Sequence, residues 1–239
     1  MNEVEIVQVA SGGLMLEGRF RPRAVKRGES GGAGAVICHP HPRFGGSMDN
    51  NVVCALEDHL ASLGVATLCF NFRGVGGSQG EWDEMRGEVD DVLGALTWLA
   101  KRPELDAGRI GLAGYSFGGL MAAYACARIG KAAGERAARN NHGSDFRVKA
   151  LALVSPMPPA RGWEAEKELM PMYAKPPPAI IIAGTADRFC PVKSAQDLAV
   201  RIGPEARLVI LEGVDHFYGE REDEAGKNCA EFMARSLGR

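Results

Sequence analysis

The chain has 239 residues, of which 46% are hydrophobic and 24% charged, and its formal net charge is −2 at pH 7. This length suits one large α/β domain or two small ones, and the composition is ordinary for a globular protein. The near-neutral charge provides no basic surface for nucleic acid. The apolar runs are strand-length, well short of the roughly 20 residues that a membrane helix needs, and no signal segment opens the chain. We therefore expect a soluble, cytoplasmic protein that binds neither nucleic acid nor membrane.

The six cysteines are scattered along the chain without a C-x-x-C pair. Several lie inside apolar runs, where cysteine behaves as a small buried hydrophobe. This distribution favours reduced thiols over a disulfide framework or a zinc site. Cys190 is of special interest because it lies close to a site residue proposed below.

The chain opens with two alternating stretches, residues 4–10 and 14–20, joined by Ser11-Gly12-Gly13. This pattern predicts an antiparallel hairpin at one edge of a sheet. From residue 35 onward, short continuous apolar runs alternate with segments of helical spacing. The runs predict strands at residues 35–38, 65–70, 110–113, 148–154, 179–183 and 208–211. The spaced segments predict helices at residues 50–63, 89–100, 117–129, 194–202 and 222–237.

This alternation predicts a mostly parallel sheet with helices on both faces, in a single domain that spans residues 1–239. Residues 155–178, between two predicted strands, are rich in proline and have room for one short helix near residues 163–170. We expect a short flap there, and hence a minimal lid. Residues 131–144 are polar and are compatible with an extension of the preceding helix followed by a loop.

The pattern Gly114-Tyr115-Ser116-Phe117-Gly118 matches G-x-S-x-G between a predicted strand and a predicted helix. In a nucleophile elbow of this kind, a serine hydroxyl stands exposed at the end of a parallel strand. Side chains at the two glycines would collide, because the turn brings the strand and helix backbones close together. Ser116 is therefore the predicted nucleophile.

A serine hydroxyl needs a base within hydrogen-bond reach, and the base needs a third group that orients it. Two histidines follow Ser116 in the sequence. His142 lies in a polar loop with no predicted strand beneath it. His216 comes directly after the last predicted strand, where sites form in open α/β sheets. We predict His216 as the base.

Asp187 is the acid that follows the strand at residues 179–183. The alternative acid is Asp215, but as the neighbour of His216 it would usually point elsewhere. An aspartate at position 187 also fits a helix cap or an Asx turn. With Asp187, the chain order is Ser, Asp, His, as in α/β-hydrolases.

A tetrahedral oxyanion needs preorganised donors. One is predicted to be the backbone N–H of Phe117, directly after Ser116. The second should come from the loop after residues 35–38, where Pro40 and Pro42 have no N–H, which leaves His41 or Arg43. We favour His41, because the flanking prolines would fix it.

A rival interpretation of the same loop is a metal pair, His39-x-His41, with Asp49 nearby. No partner motif for a metal accompanies the pair. We therefore predict no metal and no cofactor. The predicted substrate pocket consists of apolar and aromatic residues in loops around the inferred site or in the flap, namely Phe44, Phe72, Met157, Trp163, Phe189, Phe217 and Tyr218.

Together, residues 114–119, Asp187 and His216 resemble the α/β-hydrolase superfamily over nearly the whole chain. The His39-Pro40-His41-Pro42 loop, with residues 45–50 and 71–76, is similar to that of compact bacterial predicted hydrolases with little or no lid, which resemble dienelactone hydrolases and small carboxylesterases in architecture. The resemblance implies an eight-stranded sheet with the second strand antiparallel, and the triad already named. The longer segment at residues 130–146 departs from the family pattern.

The expected function is a cofactor-independent serine hydrolase that acts on carboxylic esters of short to medium acyl chain through an acyl-enzyme. Thioesters are the alternative substrates within this class. From other classes, the alternatives are a non-catalytic binding or scaffold protein with a hydrolase fold, and a different acyl or cyclisation reaction at the same serine. The oligomeric state and the natural substrate stay open.

Overall fold

Eight strands hydrogen-bonded into one sheet form the frame of the protein, in the order β1-β2-β4-β3-β5-β6-β7-β8. The computed structural model describes residues 3–23, 31–138, 147–159, 169, 172 and 174–238. The strands are β1 (Glu5–Ser11), β2 (Leu14–Arg21), β3 (Gly32–Cys38), β4 (Ala66–Phe70), β5 (Leu105–Tyr115), β6 (Ala150–Val154), β7 (Ala179–Gly184) and β8 (Ala206–Leu211).

The strand directions agree with the predicted mostly parallel sheet. β2 is antiparallel to both of its neighbours, β1 and β4. All other neighbouring strands run parallel. The predicted hairpin is confirmed, with β1 at the edge of the sheet. The second strand is antiparallel, as the family resemblance implies. Because β3 to β8 run parallel, the loops after their carboxyl ends lie along one edge of the sheet, where the predicted site residues belong.

Within the described residues, five α-helices cover the two faces of this sheet. They are α1 (Asn51–Ser62), α2 (Arg86–Ala100), α3 (Phe117–Ala138), α4 (Val192–Ile202) and α5 (Glu222–Ser236). Apolar residues of α2, α3 and α4 belong to one hydrophobic cluster, and those of α1 and α5 belong to a second. The sheet therefore separates two cores, as a doubly covered parallel sheet requires.

β3 illustrates why continuous apolar runs form these inner strands. Successive side chains of a strand point to opposite faces, so a strand covered on both faces needs apolar residues at every position. Val36 and Cys38 lie in the cluster with α2 to α4, whereas Ala35 and Ile37 lie in the cluster with α1 and α5. All four side chains are fully buried.

Several elements extend beyond their predicted bounds. β5 begins five residues early, at Leu105, because Leu105 pairs with Gly32 of β3 before an irregularity in the ladder, which resumes at Ile110 opposite Gly34. α3 continues to Ala138, so part of the polar segment at residues 131–144 extends the helix.

At α1, the Asn50 side chain accepts a hydrogen bond from the N–H of Val52 and caps the first turn.

The predicted short helix near residues 163–170 falls almost entirely outside the described residues, and so does Trp163. Leu169 and Met172, which are described, are buried in the cluster with α2 to α4. The six cysteines are free thiols, and five of them are buried. Among the described helices, none combines the length and the apolar character needed to cross a membrane.

Candidate active site

Ser116 occupies the single position between the end of β5 and the start of α3. Its φ is +53°, in the left-handed region that residues with a side chain adopt only at a cost. Its N–H donates to the carbonyl of Val154 at 2.9 Å, and its carbonyl accepts from the N–H of Met157 at 2.9 Å. Bonds to β6 and to the loop that follows it therefore hold the strained turn in place.

The two glycines of the G-x-S-x-G pattern stand where the sequence analysis requires them. A Cβ atom on Gly114 would lie 2.3 Å from the carbonyl oxygen of Gly118. A Cβ atom on Gly118 would lie 2.3 Å from the carbonyl oxygen of Cys38 and 2.5 Å from that of His39. The first turn of α3 thus packs directly against the end of β3, which carries the loop containing His41.

Ser116, His216 and Asp187 form one hydrogen-bonded series. His216 Nε2 lies 2.9 Å from Ser116 Oγ, and His216 Nδ1 lies 2.9 and 3.0 Å from the two carboxylate oxygens of Asp187. A carboxylate can only accept, so Nδ1 carries the proton and Nε2 accepts from the serine hydroxyl. The three side chains come from the ends of β5, β7 and β8, and this geometry can transfer a proton from Ser116 to His216.

Asp187 is held as a charged, oriented acceptor. Its Oδ1 accepts hydrogen bonds from the N–H groups of Phe189 and Cys190, each at 2.8 Å. Burial by itself raises the pKa of Asp187. Hydrogen bonds from His216, from the Cys190 N–H and from Ser155 outweigh burial, and the pKa of Asp187 is lowered from 3.8. The acid is therefore ionised at neutral pH.

Cys190, singled out by its position in the sequence, contributes its backbone to this arrangement. Its N–H donates to Asp187, whereas burial raises the pKa of its thiol to about 12. A thiol with so high a pKa forms almost no thiolate at neutral pH and is a poor nucleophile.

Asp215, the alternative acid, has other partners. Asp215 Oδ1 accepts from the N–H groups of Phe217 and Tyr218, at 2.9 and 3.1 Å, so it caps the turn around His216. His142 lies outside the described residues.

Phe117 and His41, whose backbone N–H groups are the predicted oxyanion donors, are in contact through their side chains. Their rings are 5.0 Å apart between centroids. Within the described residues, neither backbone N–H takes part in a hydrogen bond. Arg43, the alternative to His41, donates its N–H to His41 Nδ1 at 3.2 Å. The geometry favours His41 over Arg43, because only the His41 N–H stays available for a ligand.

His39 is a structural residue rather than half of a metal pair. Its Nδ1 lies 2.6 Å from the carbonyl of Pro40, and its Nε2 accepts from the N–H of Phe72 at 3.0 Å. Burial is the main cause that lowers the pKa of His39 to about 4, so the ring is neutral. Both nitrogens are engaged and neither can bind a metal. Asp49 pairs with Arg19 at 2.5 Å.

The predicted pocket residues separate into two groups. Phe44, Phe189 and Phe217 are exposed by 86%, 61% and 63%, and Met157 is half-buried. The ring of Phe189 lies 4.8 Å from that of His216, so it borders the hydrogen-bonded series. These residues are available to a ligand.

Phe72 and Tyr218 are fully buried and present no surface to a ligand, unlike the sequence-based expectation. Phe72 packs edge-on against His39, with ring centroids 4.7 Å apart, because its backbone is tied to that residue. Tyr218 directs its hydroxyl inward to Ser155 Oγ, 2.9 Å away. Both residues therefore support the site through contacts in the protein interior.

Trp82 was not among the site residues predicted from the sequence. Its ring stacks on His41, with centroids 4.8 Å apart and planes 25° apart, and it lies 5.3 Å from the ring of Phe117. With Phe44, 4.7 Å from His41, the rings of Trp82, His41 and Phe117 form an aromatic wall at the two residues that carry the predicted donors. Trp82 lies between the loop after β4 and α2, in a stretch without helical or strand periodicity, so no pattern indicated its position.

The strand-end serine, histidine and aspartate on this mostly parallel sheet define the class of the protein as an α/β serine hydrolase fold. The sequence profile described as the alpha/beta hydrolase fold matches residues 36–174, more than half of the chain. The chain belongs to the α/β hydrolase fold family.

Known proteins of similar sequence or structure agree with this assignment. An uncharacterized protein of Rickettsia prowazekii is 30% identical over 223 residues, which cover 91% of this chain and 85% of that protein. An alpha-beta serine hydrolase homologue from Coxiella burnetii has 30% identity and a TM-score of 0.73, over 95% of this chain and 96% of the other. A serine hydrolase without a lid from Xanthomonas campestris has 24% identity and a TM-score of 0.76, over 100% and 97%, and its likeness concerns the fold alone.

Proposed function

We propose that this protein hydrolyses carboxylic esters of short to medium acyl chain through an acyl-enzyme on Ser116. The observation that carries the proposal is the continuous series from Ser116 Oγ through His216 to Asp187, with 2.9 Å at each step. A serine held at φ +53° and bonded to an oriented base is an activated nucleophile.

The proposed reaction has two halves. Ser116 Oγ attacks the acyl carbonyl while His216 Nε2 takes its proton, and the N–H groups of Phe117 and His41 bind the oxyanion. His216 then gives the proton to the leaving alkoxide, which departs as an alcohol. Water attacks the acyl-enzyme with His216 again as base, and the carboxylic acid leaves. Asp187 holds the imidazole throughout and stabilises its protonated form.

The aromatic side chains at the site support apolar acyl groups. The aromatic wall of Trp82, His41, Phe44 and Phe117 stands beside the proposed oxyanion donors and offers contact area to a short chain. Exposed Phe189 borders the other side of the series. Ser116 could attack a thioester in the same way. Experiment therefore decides between an alcohol and a thiol as the leaving group.

The test is a panel of p-nitrophenyl esters and acyl-CoA thioesters of graded chain length, run beside labelling with a fluorophosphonate probe. We expect hydrolysis of acetate and butyrate esters and labelling at Ser116, with both lost in Ser116→Ala. Turnover of thioesters alone would transfer the proposal to the thioesterase alternative. A folded wild-type protein that neither labels nor hydrolyses any substrate would overturn the proposal in favour of a binding or scaffold protein.

A further inference from the structure

Next to Asp187 lies a pair of buried hydroxyl groups that the proposed reaction does not use. Ser155 Oγ and the Tyr218 hydroxyl are 2.9 Å apart, and both residues are fully buried. Ser155 follows β6 directly, and Tyr218 belongs to the loop after β8. The Ser155 side chain also acts on the Asp187 carboxylate, because it helps to lower the pKa of that group.

Counting protons fixes the direction of these bonds. Each hydroxyl has one proton, and the Asp187 carboxylate can only accept. A Ser155 hydroxyl that directs its proton to Asp187 must accept from Tyr218. The series runs from Tyr218 through Ser155 to Asp187. Together with the N–H groups of Phe189 and Cys190, and with His216, it completes the set of donors around the carboxylate.

The backbone at the two hydroxyl-bearing residues is strained. Ser155 has φ +39° and Tyr218 has φ +58°, both in the left-handed region that favours glycine. Strained residues with side chains persist where the surroundings impose them, and they cluster at functional sites. The N–H of Ser155 donates to the carbonyl of Ile182 at 2.7 Å, which anchors the residue to β7.

We propose that Ser155 and Tyr218 are positioning residues for the series at Ser116. They hold the Asp187 carboxylate at the angle at which it aligns His216, and they disperse its charge. The inference rests on the proposed function, because it concerns the reactivity of the same serine.

The titratable groups that face Asp187 determine which ionisations could affect a pH profile. They are His216 and Tyr218 from the loop after β8, Tyr115 at the end of β5, and Cys190 on the same loop as Asp187. Burial raises the pKa of both tyrosines well above 10 and that of Cys190 to about 12. Between pH 5 and 9 these three groups stay neutral, so their own titration does not contribute to a change in that range.

The test compares Ser155→Gly and Tyr218→Phe with wild type, using the second-order rate of fluorophosphonate labelling of Ser116 as a function of pH. Glycine fits φ +39° without strain, and phenylalanine keeps the ring, so each variant removes mainly a hydroxyl. We expect labelling to slow by about tenfold, a part of what an oriented general base contributes. We expect the acid limb to move to higher pH, because removing the Ser155 hydroxyl removes one of the groups that lower the pKa of Asp187.

Ser11→Ala is the matched control. Ser11 Oγ donates to the buried carboxylate of Asp91 at 2.7 Å, a bond of the same kind between β1 and α2, away from Ser116. We expect this control to lose stability without a change in labelling rate or pH midpoint. Where an ester is turned over, the positioning variants should lower kcat and leave KM within about twofold, because they touch no substrate.

The outcomes separate the inference from the function on which it rests. A wild-type protein that does not label overturns the proposed function itself. A wild-type protein that labels, with both folded variants labelling at its rate and its pH midpoint, overturns the positioning role alone. If Ser155→Gly does not fold, Tyr218→Phe decides by the same two readouts.

Discussion

Two loops at the same edge of the sheet, residues 39–50 after β3 and residues 212–221 after β8, each hold a buried histidine, yet the two rings serve different purposes. The ring of His39 has backbone partners on both nitrogens, the carbonyl of Pro40 and the N–H of Phe72. The ring of His216 has side-chain partners on both, the Asp187 carboxylate and the Ser116 hydroxyl. Both residues are buried histidines, with 0% of His39 and 8% of His216 exposed, so their partners account for most of the difference.

The difference teaches what makes a histidine reactive at a strand end. A ring between a carbonyl and an N–H is locked in one neutral form, and it joins the loop after β3 to the loop after β4. A ring between a carboxylate and a hydroxyl can accept a proton, because the charge it gains is matched by the acid behind it. The first ring fixes a backbone, whereas the second can take part in a reaction.

The largest expected effect comes from breaking the acid partner of His216. Asp187→Asn should lower the labelling and hydrolysis rates by about 10⁴-fold, because an amide can hold the imidazole in the wrong tautomer. Asp215→Asn is the matched control. It should leave the rates within a few-fold, because Asp215 bonds only backbone N–H groups among the described residues and an asparagine oxygen can replace it. Equal losses in the two variants would contradict the assignment of Asp187.

The next largest effect tests the backbone N–H of His41, which the loop after β3 provides as a proposed oxyanion donor. His41 has φ −56°, which proline adopts without strain, so His41→Pro removes the N–H and the ring together. His41→Ala removes the ring alone. We expect hydrolysis by the proline variant to be about 10²–10³-fold slower than that of the alanine variant, the usual effect of losing one oxyanion donor. Equal rates would place the second donor elsewhere.

A third prediction uses the neutrality of His39. Burial lowers its pKa from 6.5 to about 4, so the unfolded chain takes up a proton at a pH where the folded protein does not. The stability that His39 contributes is complete above pH 6.5 and is lost as the pH falls to 4, in total about 3 kcal/mol. Urea unfolding of wild type and His39→Gln at pH 7, 5.5 and 4.5 measures this. The free-energy gap between the two proteins should narrow toward low pH, and a constant gap would contradict a neutral His39.

Much of the sheet and the chemical series could be predicted because both depend on local patterns. The apolar runs required burial on two faces, the glycines around Ser116 required a close turn, and the strand ends limited the choice of base and acid. The proposed roles of Ser116, Asp187 and His216 stay predictions about chemistry, while their proximity is a fact of the structure.

The lining of the site could not be predicted, because loops have no period that separates inward from outward. Phe72 and Phe44 both follow a strand by a few residues. One is fully buried beneath His39, and the other is 86% exposed. Trp82 and Ser155 gave no signal at all, since their importance comes from contacts with residues distant in the sequence, His41 and Asp187.

The smallest expected effect distinguishes the aromatic wall at His41 from the apolar surface that Phe217 provides in the loop after β8. Trp82 is packed on His41, whereas Phe217 in the β8 loop is 63% exposed and offers a less enclosed surface. Trp82→Ala should lower the preference for p-nitrophenyl butyrate over acetate by about threefold, which corresponds to the loss of roughly one buried CH₂ contact. Phe217→Ala should change this preference less, and Trp82→Phe should retain most of it. Because the ratio compares two esters on one protein, it cancels differences in the folded fraction. A larger change for Phe217→Ala than for Trp82→Ala would mean that the acyl chain lies along the β8 loop and the leaving group along the aromatic wall.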